Sequence, residues 1–156
     1  MNIPAKSRGQ ATVEMALVLP IFIFVIVGIF DFGRTMHSWS TLNYQCLKAA
    51  RAATKRISPL IARNLYTPET HLQLGVEGEE NVYSVRSEFW RYRSPVMPVE
   101  NYENLSFTGV GTDTKNVTIS ASYKVSLMTP FMGSLVGGSN KDGTITISAS
   151  VTVEKE

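Results

Sequence analysis

Glu14 stands at the mouth of an apolar run, five positions after Gly9. The chain reads Lys6-Ser7-Arg8-Gly9, then Gln10-Ala11-Thr12-Val13-Glu14, and from Met15 to Phe30 it carries no charged side chain. A carboxylate near hydrocarbon costs roughly 2.5–3.5 kcal/mol on insertion scales, so it signals function and calls for a partner. No basic residue follows until Arg34. A cut after Gly9 would turn the amino group of Gln10 into a cation about one helical turn from Glu14. The chemistry is then charge pairing, within the chain and between neighbouring copies, and it points to processing followed by assembly.

The other residues able to do chemistry are few. Cys46 is the single cysteine, which excludes an intramolecular disulfide and a cysteine-based metal cluster. Its place between Leu42 and Leu47, in an alanine-rich stretch, favours a small buried hydrophobe over a reactive thiol. His37 and His71 are the only histidines and lack metal-ligand spacing; the chain also lacks a nucleophile elbow and a phosphate-binding glycine loop. Gly137 to Gly143 holds oxygen ligands but too few for a calcium loop, so it reads as a turn, and Glu77, Glu79 and Glu80 read as a solvated loop. We expect no enzyme, no metal and no cofactor. Beyond Gly33, 13 Lys or Arg oppose 11 Asp or Glu without a basic stripe, which disfavours nucleic acid as a partner.

These residues need elements to hold them. Val13 to Phe32 is an apolar stretch of 20 residues, with Glu14 and Asp31 near its ends, and about 20 suffice to span a bilayer core. A secretory signal peptide would end in a small-residue cleavage site, whereas Asp31-Phe32-Gly33-Arg34 follows here. Lys6, Arg8 and the amino terminus precede the span against Arg34 alone just after it, which keeps the leader in the cytoplasm and exports the rest. Pro20 is tolerable in a membrane helix and predicts a bend about two turns from Glu14.

The helical pattern continues past the span. Met36, Trp39, Leu42, Cys46, Ala49 or Ala50, Ala53, Ile57 and Leu60 recur at spacings of three and four, predicting one helix from Thr12 to about Ser58 with a stripe facing a partner. Residues 66–81 read as a loop, and Asn81 to Arg93 fits neither the helix nor the strand period. Strict alternation marks two strands, one bearing Val117, Ile119, Ala121, Tyr123, Val125 and Leu127, the other Ile145, Ile147, Ala149, Val151 and Val153. A weaker strand is expected from Leu105 to Val110, with a hairpin loop at 111–115. An antiparallel sheet with one polar face must cover the other, and the outer half of the long helix is the large element available. The fold class is α+β, a long N-terminal helix packed on a C-terminal antiparallel sheet of about three strands.

A glycine before the cut, a Glu fifth after it, an apolar helix extended into an exported domain and a terminal sheet together resemble the type IV pilin-like proteins. Within that group, Arg8 to Pro20 followed by Gly28-Ile29-Phe30-Asp31-Phe32-Gly33-Arg34 resembles the TadE-like family of tight-adherence pilus systems. The resemblance implies a minor pilin or pseudopilin with a leader at 1–9, a transmembrane helix at 10–33, an amphipathic extension at 34–65 and an exported domain at 66–156. It implies cleavage between Gly9 and Gln10 by a prepilin peptidase, an inner-membrane location, and either insertion into a thin adhesive pilus or priming of it. The implied partners are that peptidase, other pilins, the inner-membrane assembly platform and the lipid bilayer. The alternative is an uncleaved, membrane-anchored periplasmic binding module of a secretion or envelope complex.

Overall fold

A computed structural model describes residues 5–54, 72, 74–76, 83–112, 114–129 and 143–155. Helix α1 runs from Ala5 to Thr54, 50 residues and about 75 Å at ~1.5 Å per residue. It starts earlier than the expected Thr12, because no proline interrupts residues 5–12 and a single glycine costs a helix only about 1 kcal/mol. The helix continues through Pro20. The expected extension beyond Thr54, most of the loop at 66–81, with Glu77, Glu79 and Glu80, His71 and the turn at 137–142 lie outside the described residues.

The aromatic and basic segment is helical, as α2 (Val85–Arg91). Its start is fixed by a reciprocal cap in which Ser87 N donates to Ser84 Oγ (3.0 Å) and Ser84 N donates to Ser87 Oγ (2.8 Å). Those bonds satisfy donors that the first turn would otherwise leave open. A short 3₁₀ turn at Val99–Asn101 leads into β1 (Tyr102–Thr108), which pairs antiparallel with β2 (Asn116–Ser126), and β2 pairs with β3 (Thr144–Glu154). The sheet order is β1-β2-β3.

Strand β1 begins three residues before the expected Leu105 and ends at Thr108. The register shifts between Glu103 and Ser106, where Asn104 takes a φ of +49°. That bulge changes the parity of the strand, so Tyr102 joins Leu105 and Phe107 against the core although its number is even. At the hairpin, Gly109 has φ +80°, and a Cβ there would stand 2.2 Å from the Asn116 carbonyl, so a side chain is excluded.

The outer half of α1 lies across the sheet. Leu42, Cys46, Ala49, Ala50 and Ala53 are buried against the inward face of β2, where Val117, Ile119, Ala121, Tyr123 and Val125 are buried as expected. Met36 and Trp39 correct the expected stripe, being 45% and 46% exposed. The buried face runs instead through Asp31, Ser38, Leu42, Gln45, Cys46 and Ala49, and its polar members hid it from a search for apolar periodicity. Gln45 is there because it is bonded on both sides: its Nε2 donates to the Phe89 carbonyl (3.1 Å) and its Oε1 accepts from Tyr102 Oη (2.9 Å). One amide side chain thus ties α1, α2 and β1 together, as buried polar groups require. Phe89 completes the core with edge-to-face contacts to Trp90, Tyr102 and Phe107 at 5.1, 6.0 and 6.1 Å. Cys46 is fully buried, its thiol donating toward the Ala149 carbonyl at 4.0 Å, and burial pushes its pKa up to about 11. It is a packing residue, unreactive near neutral pH.

Candidate functional site

Gly9, Gln10 and Glu14 all lie on exposed surface of α1. The i, i+4 spacing stacks Gln10 under Glu14, and Gln10 Nε2 donates to Glu14 Oε1 at 3.2 Å. The helix therefore aligns the carboxylate with the residue whose backbone nitrogen a cut after Gly9 would release. A Cβ built on Gly9 meets nothing within 4 Å, so its small size answers no packing need inside this fold.

Above Glu14, the apolar side chains from Val13 to Phe32 mostly point away from the protein, and Leu17, Ile21, Ile29 and Phe30 are among the most exposed. Buried core helices turn such side chains inward; this helix is long and apolar enough to cross a membrane, with its apolar window unburied. Pro20 lies in that stretch and, with Leu19, Ile23, Phe24 and Val27 below Met128 and Thr129, borders an apolar groove of about 570 Å³.

At the far end of the span sits a residue whose role the sequence left unread. Asp31 is only 3% exposed although Phe30 and Phe32 beside it are exposed. Its Oδ1 accepts from Met128 N at 2.8 Å, and its Oδ2 accepts from Thr129 N at 3.0 Å and Thr129 Oγ1 at 2.6 Å. A carboxylate holding three donors is well satisfied, and it fastens the end of β2 to the helix where the helix leaves the membrane-length segment. A buried acid at a span boundary was the signal for such a partner, but nothing local pointed to a segment 97 residues away. Glu14 and Asp31 are thus not brought together: one is open on the surface and the other is locked.

One turn beyond Asp31, Arg34, His37 and Ser38 face the sheet across a cleft, and His37 Nε2 lies 3.4 Å from Ser94 Oγ. Among the described residues no three His, Cys, Asp or Glu side chains are grouped to hold a metal ion.

Residues 9–53 match the family model described as TadE-like protein, a stretch that takes in Gly9, Gln10, Glu14, Pro20 and Asp31. No curated protein and no solved structure matches the chain.

Proposed function

We propose that this chain, with its TadE-like segment at residues 9–53, is a minor pilin or pseudopilin of a tight-adherence (Flp-type) pilus assembly system, needed for pilus biogenesis, surface adhesion and biofilm formation. It is the substrate and not the enzyme of its maturation: a prepilin peptidase cuts between Gly9 and Gln10. The observation that carries the reading is an exposed, membrane-length helix whose first acid, Glu14, is aligned with Gln10 one turn away. The basic leader stays in the cytoplasm, the span lies in the inner membrane and the sheet domain is periplasmic until the subunit enters a pilus.

Processing follows from helix physics. In the uncut chain the Gly9–Gln10 bond lies within the first turns of α1, and a protease cleft takes an extended strand. Those turns are the easiest to open, since the first four N–H groups of a helix have no partner within it. Glycine lowers the helical preference by a further 1 kcal/mol or so relative to alanine. Mass spectrometry of the protein from its own cells should show a chain starting at Gln10, and Gly9→Val should stay full length while folding normally. A full-length amino terminus where the peptidase is active would replace this reading by the uncut, membrane-anchored binding module.

After the cut, the Gln10 ammonium and Glu14 form a pair at the cytoplasmic edge of the membrane, and the amine of one subunit can answer the acid of the next. Glu14→Ala should insert and be cut as before while its recovery in sheared pili falls severalfold. Normal piliation by that variant would remove Glu14 from assembly.

A further inference from the structure

We infer that the cleft between α1 and the sheet binds the phosphate of a phospholipid headgroup. The cleft holds about 540 Å³ and is lined by Arg34, His37 and Ser38 of α1, Asn101 before β1, and Tyr123 and Val125 of β2. Tyr123 and Ser38 are 4% and 7% exposed. Among the described residues neither hydroxyl makes a hydrogen bond, and Arg34 makes no ion pair. The neighbouring acid, Asp31, is already committed through both oxygens to Met128 and Thr129. The two side chains are packed in, yet their hydroxyl oxygens keep solvent access, so together with the Arg34 guanidinium they offer donors to an acceptor that enters the cleft. A phosphate is such an acceptor: the Arg fork takes two oxygens and hydroxyl donors take the rest.

Position selects a lipid over a free anion. Arg34 lies two residues past Phe32, about 3 Å farther along the helix than the last apolar residue, and the polar layer of a bilayer is about 5–7 Å deep on each side. Val27, Asp31, Arg34 and Ser38 follow one another at spacings of four, three and four, so the apolar groove bordered by Leu19, Ile23 and Val27 lies on the same helix face, at acyl-chain depth. This inference needs the membrane span and is independent of cleavage or pilus assembly.

The test uses the full chain purified in maltoside micelles and native mass spectrometry with added dioleoylphosphatidylglycerol. We expect a one-to-one adduct that dioleoylglycerol, which lacks the phosphate, does not form. Tyr123→Phe, which keeps the ring against Tyr102 (4.9 Å), should weaken the adduct about tenfold, and Arg34→Gln at least as much. Arg91→Gln, on exposed α2 surface, should leave it unchanged. Equal retention of dioleoylglycerol, or wild-type adducts in both Tyr123→Phe and Arg34→Gln, overturns the inference. Displacement by equimolar inorganic phosphate assigns the cleft to a free anion and overturns it as well. Release of the chain from carbonate-washed membranes would instead refute the span.

Discussion

Removing Thr144–Glu154 from the full chain should abolish cooperative unfolding of the sheet domain and leave a species that aggregates in detergent or is digested within α2 and β2. Strand β3 pairs with β2 along its whole length, in 11 residue pairs from Asn116↔Glu154 to Ser126↔Thr144. Its Ile147, Val151 and Val153 pack against the core and its Ala149 is part of it. Without it, β2 becomes an open edge whose inward Val117, Ile119 and Val125 lose part of their cover, a template for association with other chains. Fully burying one such side chain contributes roughly 1.5–3 kcal/mol, so several lost contacts with a ladder of backbone hydrogen bonds match the usual total of about 5–15 kcal/mol. A monomeric shortened chain with a single sharp thermal transition would show that the strand is peripheral.

Asp31→Ala should have the second-largest effect. The substitution strands two backbone N–H groups and the Thr129 hydroxyl, and hydrogen bonds to a charged acceptor contribute about 1.5–3 kcal/mol each before water regains the freed donors. We expect a net loss of about 2–4 kcal/mol, or a fall in Tm on the order of 10 °C. Protease sensitivity should rise at Leu127–Thr129 while the β2–β3 ladder keeps its protection. Asp31→Asn, which retains one acceptor oxygen, should fall between, and Thr129→Val should lose only the hydroxyl's share. An unchanged cleavage pattern in Asp31→Ala would mean that the carboxylate does not hold the end of β2 to the helix.

How much was legible depended on whether the signal was local. The alternation of β2 and β3 is carried by neighbouring residues, and the strands formed within a residue of where it placed them. The bulge at Asn104 reversed the parity of β1, so a period-two search starting at Leu105 could not reach back to Tyr102. In α2 the periods were ambiguous, and the deciding feature was a cap with serine at both positions in place of the usual Glu or Gln partner. Trp39 and Met36 have the spacing of a core stripe, yet the helix turned Ser38 and Gln45 inward because the tertiary structure offered Gln45 two partners.

The chain by itself determined a membrane-length helix, the stacking of Glu14 over Gln10, the inward faces of two strands and the helix-on-sheet class. Each follows from the 3.6- or 2-residue repeat of the backbone, which acts over a few neighbours. Only the tertiary structure decided that Asp31 is locked by Met128 and Thr129, that Gln45 joins three elements, and that Arg34, Ser38 and Tyr123 share one cleft. Those residues are 44 to 98 positions apart where they bond. A polar side chain leaves no record in its own neighbourhood of which distant donor will satisfy it; folding supplies that donor because burying the group without one is too costly.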